Sequence, residues 1–381
     1  MKSEFKATLL IIGFIASTLV YSQNTSNYPE FSWNTVPIAY HFGKKKDILT
    51  SEEAKFIASK SNFVVLEKAH GAPKYKYSED AILEDAKQLK KYNDKMKVVF
   101  YWNAFLDYDM YKAHEEYNDH PEWWLKTKNG ELDLKNNRIK RYDLSNDNVR
   151  EWWVDVAKKN VNTDCIDGVF FDALVQVTAP SNKNLWGEEK YNAIQQGLKN
   201  LIKETRDALE KDKLIVYNGI RSTPGRNIGN NFPENTDAIM IEHFGNFNSK
   251  TKESMLLDIK EMEKAGKEGK IVVFKTWPGF SWLDKAEMSL SNKKKRIIAE
   301  ENITFPLAAF LAGAQEHSYF IYNWGYRLDM GVLEWYPEFD KPLGKPLNEM
   351  QTNGWILTRK YEHADVWVDL ENKKAKIDWH K

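Results

Sequence analysis

Two acidic residues follow short apolar runs that have the same pattern. Asp172 ends the run Gly-Val-Phe-Phe-Asp, and Glu242 ends the run Ala-Ile-Met-Ile-Glu. An acid in this position lies at the mouth of a buried strand, where partial desolvation can tune a carboxyl pKa. Glycoside hydrolysis requires two carboxyl groups that face each other, one to donate a proton and one to attack or activate water. We therefore predict Asp172 as the nucleophile and Glu242 as the general acid/base.

A plainer interpretation of either acid is a salt-bridged carboxylate at a strand end, since ion-pair networks also place acids there. Two such acids on alternate strands, with aromatic residues between them, favour catalysis. The alternatives are a carbohydrate-binding barrel without catalysis and a hydrolase of peptidoglycan or amino sugars. The separation of the two carboxyl groups distinguishes a hydrolase from a binder: ~5–5.5 Å is typical of retaining enzymes, ~6.5–9.5 Å is typical of inverting enzymes, and a much larger separation is typical of a binder.

The ends of the other predicted strands supply polar and aromatic side chains that would form a rim around the same pit. Indole rings suit the flat faces of sugar rings, and Asn, His and Lys suit hydroxyl groups or anionic substituents. Glu67 could be a third acid, although binding, or pairing with Lys68 or Lys275, is favoured over catalysis. The predicted substrate-binding residues are Tyr40, His41, Glu67, His70, Trp102, Asn103, Asn218, Arg221, His243, Lys275, Trp277, Asn323 and Trp324.

Motifs of other enzyme classes are missing from the sequence. No His-x-His or His-Glu-x-x-His spacing occurs, and the single cysteine, Cys165, excludes both a multi-cysteine metal site and an internal disulfide. No Gly-x-Ser-x-Gly elbow supplies an esterase nucleophile. We therefore expect no cofactor and no bound metal ion.

Composition points to a folded protein with a carbohydrate partner. Of the 381 residues, 42% are hydrophobic, which is enough for a sizeable core. Lys+Arg and Asp+Glu both number 55, and this balance argues against a nucleic-acid partner. The 14 tryptophans are more than a core needs, and exposed indoles are platforms for sugar rings. The expected partner is a polysaccharide or oligosaccharide.

Eight short apolar runs alternate with helical patterns, which predicts a (β/α)8 barrel. Continuous apolar runs suit strands that are buried on both faces. A doubly wound open sheet is disfavoured because Gly43, after the first strand, is followed by three lysines instead of a phosphate-binding loop. The predicted strands are Val36–Phe42, Phe63–Leu66, Lys97–Trp102, Gly168–Asp172, Leu214–Asn218, Ala238–Glu242, Ile271–Lys275 and Tyr319–Asn323.

Helical patterns fill the intervals between the strands, and one interval is unusually long. Asn103–Ser145 is aromatic and charged, and a long βα loop of this kind lies on the active face of a barrel. The predicted helices are Thr50–Lys60, Ser78–Asn93, Asn148–Asn160, Trp186–Glu210, Lys252–Ala265 and Lys293–Gly313.

The two ends of the chain differ from the barrel pattern. Gly354–Trp379 alternates polar and apolar residues in three runs, which predicts a small antiparallel β extension. At the other end, Lys2 and Lys6 precede an apolar run, Leu9–Val20, which is shorter than the ~20 residues of a membrane span. The expected organisation is a signal peptide over 1–22, a catalytic barrel over 23–348 and the extension over 349–381.

The N-terminal pattern indicates export. Small residues before Gln23 fit a signal-peptidase site, so the mature chain is expected to start there. An uncleaved anchor is the alternative. We expect a secreted or periplasmic protein without stable membrane insertion after cleavage.

The two acid-bearing motifs also resemble those of known bacterial proteins. Ile-Asp-Gly-Val-Phe-Phe-Asp over residues 166–172 and Ile-Met-Ile-Glu-His-Phe-Gly over 239–245 resemble barrels described as hypothetical glycosyl hydrolases, as does Leu-Gly-Lys-Pro-Leu over 343–347. The resemblance spans residues 36–379. A marine endo-fucanase family, with retaining chemistry on sulfated fucan, is similar in architecture. That similarity implies an Asp nucleophile at Asp172, a Glu acid/base at Glu242 and a sulfated fucan as substrate.

Overall fold

The structure is a computed structural model that describes residues 27–72, 74–218 and 234–380. The predicted signal peptide and Arg221 lie outside these residues.

A parallel sheet of eight strands forms the centre of the fold. The strands lie side by side in the order in which they occur along the chain. A parallel bridge between Ile38 and Phe320 joins the first strand region to the last strand, so that the sheet is nearly closed. The strands are β1 (Tyr40–Phe42), β2 (Phe63–Leu66), β3 (Lys97–Asn103), β6 (Gly168–Asp172), β7 (Leu214–Asn218), β8 (Ala238–Phe244), β9 (Ile271–Thr276) and β10 (Ser318–Tyr322).

Helices cover the outside of this sheet. The α1 helix begins after Thr50, whose side chain accepts from the Glu53 N–H in a capping box. The helices are α1 (Ser51–Lys60), α2 (Ser78–Tyr92), α3 (Ala113–Asn118), α4 (Asp147–Val161), α5 (Leu174–Val177), α6 (Asn182–Trp186), α7 (Glu188–Ala208), α8 (Lys252–Lys267), α9 (Lys285–Met288), α10 (Asn292–Asn302) and α11 (Thr304–Gly313).

The predicted (β/α)8 barrel is confirmed, with differences at a few boundaries. The first strand is shorter than predicted and begins at Tyr40. The single helix predicted over Lys293–Gly313 is two helices, because Pro306 in the first turn of α11 has no N–H to donate to the carbonyl of Asn302.

The C-terminal residues form a separate antiparallel sheet of four strands. These are β11 (Gln351–Asn353), β12 (Ile356–Lys360), β13 (Ala364–Asp369) and β14 (Lys374–Trp379), and β13 and β14 contact α11. This contact explains why Leu307–Gly313 of α11 is buried on every side. The prediction missed β11, because its three residues are polar and exposed and carry no apolar alternation.

The long segment between β3 and β6 is structured. It contains α3, a 3-10 turn over Pro121–Trp123, and a hairpin of β4 (Leu134–Lys135) and β5 (Ile139–Lys140). Trp123 is buried against Trp152 of α4, so this part of the segment packs on the outside of the barrel. Across the described ranges, no helix is long and apolar enough to cross a membrane.

Candidate active site

Asp172 is the last residue of β6, and its carboxylate is surrounded by hydrogen-bond donors. One oxygen accepts from the Tyr101 hydroxyl and, at 3.1 Å, from Asn103 Nδ2. The other accepts at 2.6 Å from both the Ala173 backbone N–H and Asn218 Nδ2. The register of β3 against β6 pairs Asn103 with Asp172, and Ala173 has a left-handed φ of 73° that turns its N–H to the carboxylate. These donors stabilise the negative charge and fix its direction.

Glu242 and His243 both reach the same cleft, although they are consecutive residues of β8. Successive side chains of a regular strand point to opposite faces. Here the register of β8 against β9 shifts between Ile241 and Phe244, and such an irregularity re-aims a side chain. Glu242 Oε1 accepts from the Tyr326 hydroxyl at 2.7 Å, and His243 Nε2 lies 3.5 Å from Oε2.

Asn218 joins the two acids. It ends β7, which lies between β6 and β8, and its Nδ2 donates to Asp172 Oδ1 at 2.6 Å and to Glu242 Oε2 at 2.8 Å. Two bonds of these lengths from one nitrogen place the two carboxylate oxygens no more than about 5.4 Å apart. The two carboxyl groups predicted from the sequence therefore face each other across a single amide.

Glu67, the third acid, is paired within the same cleft. Its oxygens lie 3.0 and 2.9 Å from Lys68 Nζ, and Oε1 lies 3.5 Å from His41 Nε2. Burial alone would raise the pKa of Glu67, but Lys68 and His41 outweigh it and lower that pKa. Burial likewise would lower the pKa of Lys68, and Glu67 and Asp172 raise it instead. Of the two lysines predicted as partners, Lys68 forms the ion pair.

The cleft above the acids has a volume of about 520 Å³. Its walls combine aromatic rings with basic side chains, a combination that suits a sugar with anionic substituents. Within the part of the chain that the structure describes, no group of three or more His, Cys, Asp or Glu side chains could hold a metal ion. The lining residues are Gly43, Lys45, Glu67, Lys68, Ala69, Tyr108, Lys135, Asp172, Glu242, His243, Phe247, Trp282, Tyr326, Arg327 and Met330.

The structure brings six of the predicted site residues together. Asp172, Glu242, Glu67 and His243 line the cleft. Asn103 and Asn218 are buried and donate to the carboxylates.

The structure does not bring Trp102, Trp324 and Tyr40 to the cleft, because all three side chains are buried and none of them lines it. Trp102 is 1% exposed and packs against Trp153 of α4. It precedes the inward-facing Asn103, and consecutive strand residues point to opposite faces. Tyr40 precedes the inward-facing His41 in the same way, and Trp324 packs against Phe280.

His41 in β1 and His70 after β2 are also buried, and neither of them lines the cleft. His70 binds the buried Asp85 through Nε2, and its Nδ1 accepts from the Lys44 backbone N–H at 3.1 Å. His41 lies inside the barrel against Phe170, where it supports Glu67.

Lys275 and Asn323 form a buried pair, and neither residue lines the cleft. Lys275 Nζ donates to Asn323 Oδ1 at 2.6 Å and lies 4.5 Å and 4.8 Å from the ring centroids of Trp277 and Tyr326. Burial lowers the pKa of Lys275 to about 7, although Glu242 and Glu67 act in the opposite direction. Trp277 is 6% exposed and forms part of the wall beside the cleft.

Sequence reasoning missed several residues of the site. Tyr101 could have been found, because it lies two residues before Asn103 and therefore faces the same way. Tyr326, Trp282 and Tyr108 lie in loops, and Lys135 ends the two-residue strand β4, so that no periodicity reports the direction of these side chains.

Comparison with known proteins agrees with this geometry. Residues 90–365, more than half of the chain, match the model of hypothetical glycosyl hydrolase family 15. The chain belongs to this family. The matched segment contains both Asp172 and Glu242. No curated protein matches the sequence.

Solved structures of glycoside hydrolases are among the structural matches to this chain. Alpha-L-fucosidase isoenzyme 2 from Paenibacillus thiaminolyticus matches with a TM-score of 0.50 and 13% identity, over 79% of this chain and 48% of that one. This chain therefore spans about half the length of that fucosidase. An alpha-galactosidase from Geobacillus stearothermophilus matches with a TM-score of 0.48 and 11% identity, over 89% of this chain and 48% of that one. At 13% identity the likeness to the fucosidase concerns the fold alone.

Proposed function

We propose that the protein is an exported, retaining glycoside hydrolase that acts on an acidic polysaccharide, with Asp172 as nucleophile and Glu242 as general acid/base. The observation that carries the proposal is the bridge through Asn218, which holds one oxygen of Asp172 and one oxygen of Glu242 at most about 5.4 Å apart. Retaining enzymes separate their carboxyl groups by ~5–5.5 Å, and inverting ones by ~6.5–9.5 Å to leave room for water.

The surroundings of the two acids support the division of roles. A nucleophile must be ionised and fixed in direction, and Asp172 accepts from one backbone N–H and three side chains. It would attack the anomeric carbon and form a glycosyl ester. Glu242 has an additional methylene and would donate its proton to the leaving oxygen. Glu242 would then take a proton from the water that hydrolyses the ester.

The walls of the cleft support an acidic substrate. Lys68 pairs with Glu67 and Arg327 with Asp329, whereas Lys45 and Lys135 form no ion pair with any described residue. Two unpaired cations in a cleft that is also lined by Trp282 match a sugar ring with a sulfate or carboxylate substituent. A sulfated fucan is one polymer with this chemistry.

The test is a hydrolysis screen of the purified chain on matched acidic and neutral polysaccharides, followed by NMR of the first anomer released. We expect cleavage of an acidic polymer with retained configuration and no turnover by Asp172→Asn. Asp167→Asn is the matched control, because Asp167 directly precedes the opposite end of β6 and pairs with Lys90. A first product of inverted configuration, or an active Asp172→Asn variant, would refute the mechanism.

A further inference from the structure

A second pocket, of about 390 Å³, lies beside the cleft on the same face of the barrel. It begins where β8 and β9 end, at Phe244 and Trp277, and carboxyl ends of barrel strands share the catalytic face. Phe305, at the start of α11, forms part of its apolar wall. None of the residues assigned to catalysis lines this pocket. We name it the basic pocket.

The charge of the basic pocket has one sign. Lys250, before α8, and Lys373, in the turn between β13 and β14, are exposed and line it. Among the described residues neither lysine forms an ion pair, and the lining contains no Asp or Glu. Lys373 belongs to the C-terminal sheet, so that this sheet adds a cation to the catalytic face. A site built from two unpaired cations attracts an anion.

Trp277 connects the basic pocket to the cleft. Its ring centroid lies 6.0 Å from that of His243 and 5.0 Å from that of Trp282, both of which line the cleft. The same indole lines the basic pocket, together with the amide side chains of Asn246 and Asn302. The buried indole N–H has no acceptor in the described part of the protein, so the wall retains an unsatisfied donor.

We propose that the basic pocket is a second binding site for an acidic saccharide, which holds a sulfate- or carboxylate-bearing unit away from the bond that is cleaved. The proposal rests on the proposed hydrolase function only for the identity of the polysaccharide that enters the pocket. Lysines supply the charge, an indole supplies an apolar face, and two amides supply hydrogen bonds to hydroxyl groups. The site would retain a polymer on the enzyme and leave chemistry on short substrates unchanged.

The test measures binding by calorimetry to the Asp172→Asn chain, with sulfated, carboxylated and neutral oligosaccharides of equal length. Lys250→Ala combined with Lys373→Ala should weaken binding of an acidic ligand by about tenfold, which is about 1.4 kcal/mol. Lys374→Ala is the matched control, because Lys374 follows Lys373 directly as the first residue of β14 and does not line the pocket. The sulfated and carboxylated ligands distinguish the two sources of negative charge.

Unchanged affinity in the double variant, an equal loss in Lys374→Ala, an equal loss for neutral ligands, or no binding of any acidic saccharide would overturn the proposal. A second measurement uses the Lys250→Ala, Lys373→Ala chain with native Asp172, which should cleave short substrates at the native rate. If binding is lost as expected but no glycan is ever cleaved, the hydrolase function fails and the binding site stands.

Discussion

Replacing Asn218 by leucine removes the amide that connects the two acids while keeping a side chain of similar size. Asn218 Nδ2 is 2.6 Å from Asp172 and 2.8 Å from Glu242, and the residue is 4% exposed. Without it, two carboxyl groups in a partly buried site lose a shared donor, and repulsion between them is no longer offset. We expect the variant to fold and to lose most of its turnover.

The size of the loss follows from the two bonds. A hydrogen bond to a charged group contributes about 1.5–3 kcal/mol, and water that enters the site replaces part of it. A net rise of about 2–4 kcal/mol in the activation free energy corresponds to roughly a 30- to 1000-fold decrease in kcat.

The assay is steady-state hydrolysis of the best substrate across pH, with circular dichroism to verify folding. Asn160→Leu is the matched control, since it makes the same chemical change at the end of α4 and outside the cleft. A folded Asn218→Leu variant whose kcat falls less than about threefold would refute the role that we assign to the bridge.

The barrel was predictable because its strands are buried on both faces and read as continuous apolar runs. The run over Gly168–Asp172 is buried up to its terminal acid, and the strand matches its predicted bounds. The acids were predictable for the same reason, since the position of a strand end fixes the position of its last side chain. Asn103 and Asn218 follow the same rule, and both contact Asp172.

The errors came from residues that neighbour a strand end without facing the cleft. Trp102 is next to Asn103, and the period of two residues sends it to the opposite side, against α4. Glu242 and His243 show the reverse case, because the irregular register of β8 places both in the cleft. A register shift depends on the neighbouring strand, so a single run of sequence does not report it.

Loop residues could not be located at all. Lys373 and Trp282 contribute to the catalytic face from a hairpin turn and from the loop after β9. Their positions depend on how the C-terminal sheet packs on α11 and on how the rings around Trp277 pack together. Such contacts join parts of the chain that are far apart in sequence, which composition and periodicity do not encode.

Three further predictions concern the acid/base, the tryptophans and the buried lysine. Glu242→Gln should lower cleavage of poor leaving groups much more than that of activated aryl glycosides, and azide should yield a glycosyl azide of retained configuration; rescue confined to Asp172→Gly would reverse the two roles. Trp102→Ala should lower the free energy of unfolding by about 3–5 kcal/mol, whereas Trp282→Ala should weaken substrate binding by about tenfold with little loss of stability. The opposite pattern would show that Trp102 binds substrate and that Trp282 belongs to the core. Lys275 has a pKa of about 7 in the folded chain and 10.5 as its ordinary value, so the unfolded chain holds more protons between these limits. The stability due to this lysine is therefore complete above pH 10.5 and is lost as the pH falls through about 7. The charges of Glu242 and Glu67 act to raise the pKa of Lys275, and the rings of Trp277 and Tyr326 lie against its ammonium group. Burial has the larger effect and lowers the pKa. Urea unfolding from pH ~7 to ~9 should show a rise in the free energy of unfolding that Lys275→Met flattens, and an equal rise in the variant would show that another group titrates.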